Sequence, residues 1–132
     1  MVIIGRRTLV NLPELGGLNV SAKVDTGAFR TAVHCNWCEV VEEYGVPTLK
    51  VQIAWDENST RDLSFTKFQK RTIKNSFGQT EERYCIRTLI IIKKKKIRSE
   101  ISFSDRSGMR YPVLLGRKTI GKKFLVDVST VN

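Results

Sequence analysis

Apolar and polar residues alternate with a period of two along much of this chain. Leu18, Val20, Ala22 and Val24 alternate with Asn19, Ser21 and Lys23. Val51 and Ile53 flank Gln52, and Ile97, Ile101 and Phe103 share one parity against Arg98, Glu100 and Ser102. Phe124, Val126 and Val128 repeat the pattern. Successive side chains of a strand point to opposite faces, so these segments predict strands with one buried face. Leu89-Ile90-Ile91-Ile92 lacks alternation and reads as a strand buried on both faces. Helical periodicity is confined to one short turn at Arg117-Lys118-Thr119-Ile120, ended by Gly121. Turn signals fall at Gly16-Gly17, Gly45-Val46-Pro47, Asp56-Glu57-Asn58-Ser59, Phe77-Gly78 and Ser107-Gly108. Many short strands with regular turns predict an all-β barrel or sandwich. No repeat or linker divides the sequence, so residues 1–132 read as one domain.

Charge adds a constraint on partners. Lys and Arg number 23 against 13 Asp and Glu, a formal charge of +10. Such a surplus favours nucleic acid, acidic proteins or anionic membrane. Lys93, Lys94, Lys95 and Lys96 lie between two strands and cap a hairpin. The run is either a solvated turn or a nucleic-acid or ribosome contact built on phosphate neutralisation. Trp37 and Trp55 could stack bases but are not interleaved with it. Three cysteines cannot all pair in one chain, which points to a reducing compartment. The start, Met1-Val2-Ile3-Ile4, has no signal-peptide pattern. The longest aliphatic run falls far short of the roughly 20 residues that span a bilayer. A cytoplasmic chain without membrane contact is the resulting expectation.

Candidate chemistry centres on Asp25, which ends an alternating strand and is followed by Thr26-Gly27-Ala28. Gly27 would let the backbone approach the carboxylate and adopt dihedrals closed to other residues. Backbone N–H groups and the Thr26 hydroxyl would then orient the acid. The same residues also fit an Asx-turn that ends the strand. A second constellation is His34, Cys35 and Cys38 with the distant Cys85, enough ligands for a structural zinc site. The competing reading makes the thiols small buried apolar residues. A Cys–His peptidase is disfavoured because nothing marks one cysteine as nucleophile. No H-E-x-x-H motif and no phosphate-cradling G-x-x-x-x-G-K-[ST] loop is present, so no metal or cofactor is expected.

Val24-Asp25-Thr26-Gly27-Ala28, followed by Thr31-Ala32-Val33, resembles the retropepsin active-site strand. Val113-Leu114-Leu115-Gly116-Arg117 resembles the apolar-apolar-Gly-Arg segment that supports that site before a short C-terminal helix. The chain is still more similar to a bacterial family of retropepsin-like aspartic endopeptidases, formerly labelled ATP-dependent zinc proteases. That family is often encoded beside an ATP-grasp ligase that adds glutamates to a ribosomal protein. Shared segments include Ile4-Gly5-Arg6-Arg7, Leu12-Pro13-Glu14-Leu15, Ala32-Val33-His34, Asp105-Arg106-Ser107, Met109-Arg110-Tyr111-Pro112 and Phe124-Leu125-Val126-Asp127. Departures are Phe29-Arg30, where the family usually has a basic residue and Thr, and Cys35, where it usually has Ala.

The resemblance implies a closed retropepsin-like barrel with one short C-terminal helix. It also implies an aspartic endopeptidase, a hydrolase in which two carboxylates share one proton and activate water. With one Asp-Thr-Gly per chain, the second Asp25 must come from a second copy, so a homodimer is expected. The implied catalytic group is Asp25 with Thr26 and Gly27, supported by Leu114, Leu115, Gly116 and Arg117. Ala28, Asn75, Ser76, Phe77 and Gly78 would contact a peptide or protein substrate. The last four form the tip of a lid over the interval from Arg71 to Tyr84, which also reads as a plain surface hairpin. The alternative function is a non-catalytic retropepsin-fold binding module for a ribosomal, nucleic-acid or acidic protein partner.

Overall fold

The structure, a computed structural model, describes residues 2–74, 77–105, 111–121 and 123–129. Among the described residues, eleven strands, one four-residue α-helix and a 3-10 turn at Pro13–Leu15 make an all-β arrangement. They are β1 (Val2–Gly5), β2 (Arg7–Leu12), β3 (Gly17–Val24), β4 (Thr31–Glu43), β5 (Val46–Asp56) and β6 (Ser59–Phe65). Then follow β7 (Gln69–Lys74), β8 (Thr80–Ile92), β9 (Lys95–Ser104), β10 (Val113–Leu115), α1 (Arg117–Ile120) and β11 (Phe124–Asp127). The main sheet runs β10-β3-β2-β8-β9-β4-β5-β6, with β7 added to β8 and β10 also paired to β4. β1 and β11 form a separate parallel pair. The described residues are therefore all-β with one short helix, most of their strands joined in one twisted sheet. β4 and β8 are each 13 residues long and serve different neighbours along their length. The first residues of β4 pair with β9 and β10, while the rest carry β5 and, beyond it, β6 as an extension of the twisted sheet.

Burial follows the predicted alternation where the ladder is regular. Val20, Ala22 and Val24 of β3, Val51 and Ile53 of β5, and Ile97, Ile101 and Phe103 of β9 all enter the core. Leu18 departs from it and is 71% exposed. Between the pairs Val10↔Val20 and Leu12↔Gly17, β2 has one residue and β3 has two, so the parity slips. Asn19 takes a left-handed φ of 50° there, and its amide donates to the Asn11 side chain. Ile90 and Ile92 are fully buried whereas Leu89 and Ile91 are half-buried, so the apolar run of β8 has one core face. Phe124 is buried, but β11 stops at Asp127 and leaves Val128 exposed.

Glu100 and Ser102 of β9 are buried despite their polar parity. α1 and side chains from the segment joining β3 to β4 pack over that face. Gly121 ends α1 at a φ of 48°, as its position predicts. The expected turn at Ser107-Gly108, the family-like residues 106–110 and the lid residues Asn75 and Ser76 lie outside the described residues. No described helix is long and apolar enough to cross a membrane.

Candidate functional site

Asp25 leaves β3 at a point where three segments meet. The amide of Asp25 donates to the Leu115 carbonyl at 2.9 Å, continuing the parallel pairing of β3 with β10. The Ala28 amide returns to the Asp25 carbonyl at 3.2 Å, and the Gly27 amide donates to Asp25 Oδ1 at 2.9 Å. Gly27 does not have a positive φ, so its expected need for special dihedrals is corrected. Close approach is the reason for glycine, because a Cβ would stand 3.2 Å from Asp25 Oδ1. Thr26 is exposed, and the backbone of Gly27 orients the acid.

The four-residue helix is docked directly on the segment after this turn. Arg117 N and Lys118 N donate to the carbonyls of Ala28 and Phe29, each at 2.8 Å. Gly116 permits that approach: a Cβ would lie 2.5 Å from the Arg30 carbonyl oxygen and 2.7 Å from that of Phe29. A buried hydroxyl chain fixes the other side. Ser99 Oγ and Thr31 Oγ1 contact Thr119 Oγ1 at 2.8 and 2.5 Å, and Gly116 N donates to Thr31 Oγ1 at 3.0 Å.

Glu100, 5% exposed, gathers cations from three elements. Arg71 of β7 donates through Nε at 2.9 Å and Nη2 at 3.4 Å, and Lys118 of α1 donates through Nζ at 3.2 Å. Arg30 Nε stands 3.5 Å away. Burial alone pushes the Glu100 carboxyl up, but hydrogen bonds from Arg71, Lys118 and the Cys85 thiol outweigh it and pull it down to about 2. Phe29 is a second hub, with Arg30, Arg117 and Lys118 between 5.3 and 5.8 Å from its ring centre.

A cleft of about 320 Å³ opens between this assembly and the β7–β8 hairpin. Gly27, Ala28 and Leu114 line one side, and Thr72 and Ile73 the other. Arg30, Lys74, Arg83 and Arg117 supply four cations, and no acidic residue is among the described lining. Of the expected substrate-contacting residues, Ala28 lines the cleft. Phe77 and Gly78 belong to the exposed hairpin tip and do not line it. Of the supporting residues, Leu114 and Arg117 face the cleft, while Leu115 and Gly116 are buried behind it.

The cysteines take a different part. One extra residue, Asn36, sits between the pairs Cys35↔Ile53 and Trp37↔Gln52, a bulge that leaves Cys35 buried and Cys38 half-buried. Burial is the largest cause pushing Cys35 and Cys85 up to about 11 and Cys38 to about 12. At neutral pH these groups are thiols, poor as nucleophiles. His34 Nδ1 faces Asp105 at 3.9 Å, and no described cluster of three or more such side chains is arranged to hold a metal. The lysines at 93–96 form the β8–β9 turn and its first β9 residues, away from the cleft lining.

Sequence reasoning missed Arg30, Thr31, Arg71, Glu100, Lys118 and Thr119. Glu100 was read as a solvent-facing strand residue. Its partners Arg71 and Lys118 lie 29 and 18 residues away, so no local spacing marks the group.

The RimB-like family model, described as retropepsin-like aspartic endopeptidase RimB, matches residues 3–131. A protein of Desulfotalea psychrophila named "Probable alpha-L-glutamate ligase" is 30% identical over 128 residues, covering 95% of this chain and 28% of that protein. A Shewanella pealeana protein of the same name is 30% identical over 130 residues, covering 96% and 28%. The chain thus spans 28% of the length of these curated relatives. A crystal structure of a Legionella pneumophila protein of unknown function superposes with a TM-score of 0.77 at 23% identity, covering 98% of this chain and 95% of that one. That likeness shows the fold. All the functional names are names of enzymes, but the relatives' names point to bond formation. The expected aspartic endopeptidase, and with it the hydrolase and protease description, is corrected on that ground.

Proposed function

This chain belongs to the RimB-like family of enzymes, and from the names of its curated relatives we propose that it supplies the acidic-peptide site of an alpha-L-glutamate ligase activity. In this reading it grips a glutamate-bearing chain in the cleft beside Asp25. Joining glutamates through α-peptide bonds leaves one free side-chain carboxylate on every residue. A site that handles such a chain needs several cations in a space wide enough for extended backbone.

The observation that carries the reading is the cleft lined by Arg30, Lys74, Arg83 and Arg117 with no described acid among them. Charge-assisted contacts to carboxylates are stronger than neutral ones, and guanidinium groups meet carboxylates in a bidentate fork. Asp25, held by Gly27, would repel side-chain carboxylates and accept a backbone N–H of the ligand instead, which sets the direction in which the peptide lies. The pairing of β10 with both β3 and β4 supports a further structural reading, a retropepsin-like barrel closed through β10 that presents this cleft at one end.

Fluorescence anisotropy with dye-labelled α-linked oligoglutamate and oligoglutamine tests the proposal. The glutamate peptide should bind at least about tenfold more tightly, a difference of roughly 1.4 kcal/mol. Its affinity should fall as salt screens the cleft. Equal binding of the two peptides would contradict it.

A further inference from the structure

Four cations line the cleft, but only one is built in place. We infer that Arg30 is the specificity-determining residue of this site, receiving a glutamate side-chain carboxylate. Glu100 and Phe29 act as the groups that position it. The inference rests on the reading of the cleft as an acidic-peptide site.

The backbone around Arg30 is pinned on both sides. The Phe29 carbonyl accepts from Lys118 N, and the Thr31 hydroxyl accepts from Gly116 N. The guanidinium carbon lies 5.3 Å from the Phe29 ring centre, so the ring supports its plane. Glu100 Oε1 pairs with Arg30 Nε at 3.5 Å, yet the buried Nε makes no hydrogen bond among the described residues. Arg71 and Lys118 supply the hydrogen bonds that Glu100 accepts. Three cations therefore face one carboxylate, and Arg30 is the one of them that lines the cleft and makes no hydrogen bond to Glu100. Lys74 and Arg117 are exposed, and Arg83 is engaged by Glu81. Those three steer an anion towards the cleft, while a fixed guanidinium selects it, because little conformational freedom remains to be lost on binding.

The test uses dye-labelled α-linked oligoglutamate and oligoglutamine with the full chain and three variants, each checked for a cooperative thermal transition. Arg30→Gln should lose about tenfold or more in affinity for the glutamate peptide and little for the glutamine peptide. Arg30→Lys keeps the charge but loses the planar fork, and should also bind several-fold more weakly. Glu100→Gln separates positioning from bulk charge. It makes the protein more positive, so simple attraction predicts tighter binding, whereas loss of positioning predicts weaker binding. Weaker binding in all three supports the inference. If wild type prefers oligoglutamate but Arg30→Gln keeps that preference, or Glu100→Gln tightens binding, Arg30 is not the selector and only this inference fails. If wild type itself does not prefer oligoglutamate, the reading of the cleft fails and this inference with it.

Discussion

Glu100 illustrates how one side chain can govern the stability of a site. Its carboxyl is held down to about 2 against an ordinary value of 4.5. For a depressed carboxylate, the stabilisation is fully present above the unfolded value and is lost as pH falls through the folded one. Thermal melts should therefore show a decline between about pH 4.5 and pH 2. Glu100→Gln should flatten that decline, having already lost about 1–3 kcal/mol at neutral pH by removing the charge and turning one acceptor oxygen into an N–H2 donor that faces Arg71 or Lys118. An unchanged acid profile in the variant would remove Glu100 from this role. Gly116 offers a steric counterpart. Gly116→Ala would drive a methyl group into the carbonyls of Arg30 and Phe29, which cannot retreat while Phe29 accepts from α1. Chemical denaturation should show a loss of about 1–3 kcal/mol, the cost of overpacking a filled site. The Asp25 turn could be read from four adjacent residues because the hydrogen bonds that close it, from Gly27 N and Ala28 N back to Asp25, are local. Glu100, Arg30 and Lys118 could not, because their meeting depends on how distant strands and the helix fold together.

The strands were legible wherever the two-residue alternation was unbroken, as in β5. It failed where a bulge changed the count in β3 and where α1 covered the polar face of β9. The hairpin joining β8 to β9 shows what composition alone could not reveal. Ile92 pairs with Lys95, so Lys93 and Lys94 form a two-residue turn, with left-handed φ values of 50° and 66°. Such turns favour Asn-Gly, and a side chain in this region costs roughly 1–2 kcal/mol per residue. Replacing Lys93 with Asn and Lys94 with Gly should thus raise the stability by about 1 kcal/mol, measured by denaturant titration. The lysine run remains a proposed nucleic-acid contact. Substituting Ser at all four positions should abolish any salt-sensitive RNA binding seen in filter or anisotropy assays. RNA binding that persists would place that surface elsewhere.

The molecule as a whole presents two basic features of different character, the cleft beside Asp25 and the lysine turn. Net charge predicted an anionic partner but could not say where it would bind, because charge counting carries no geometry. The curated relatives are more than three times as long as the match, and the acidic-peptide partner proposed for this chain is taken from the reaction in their names. The central claim is that an acidic peptide binds in the cleft. Its most direct test is a backbone NMR titration of the labelled protein with α-linked oligoglutamate. The account predicts saturable shifts at residues 27–30, 72–74, 83, 114 and 117, with residues 93–96 little changed. Shifts confined to the lysine turn, or spread without saturation over the basic surface, would contradict it.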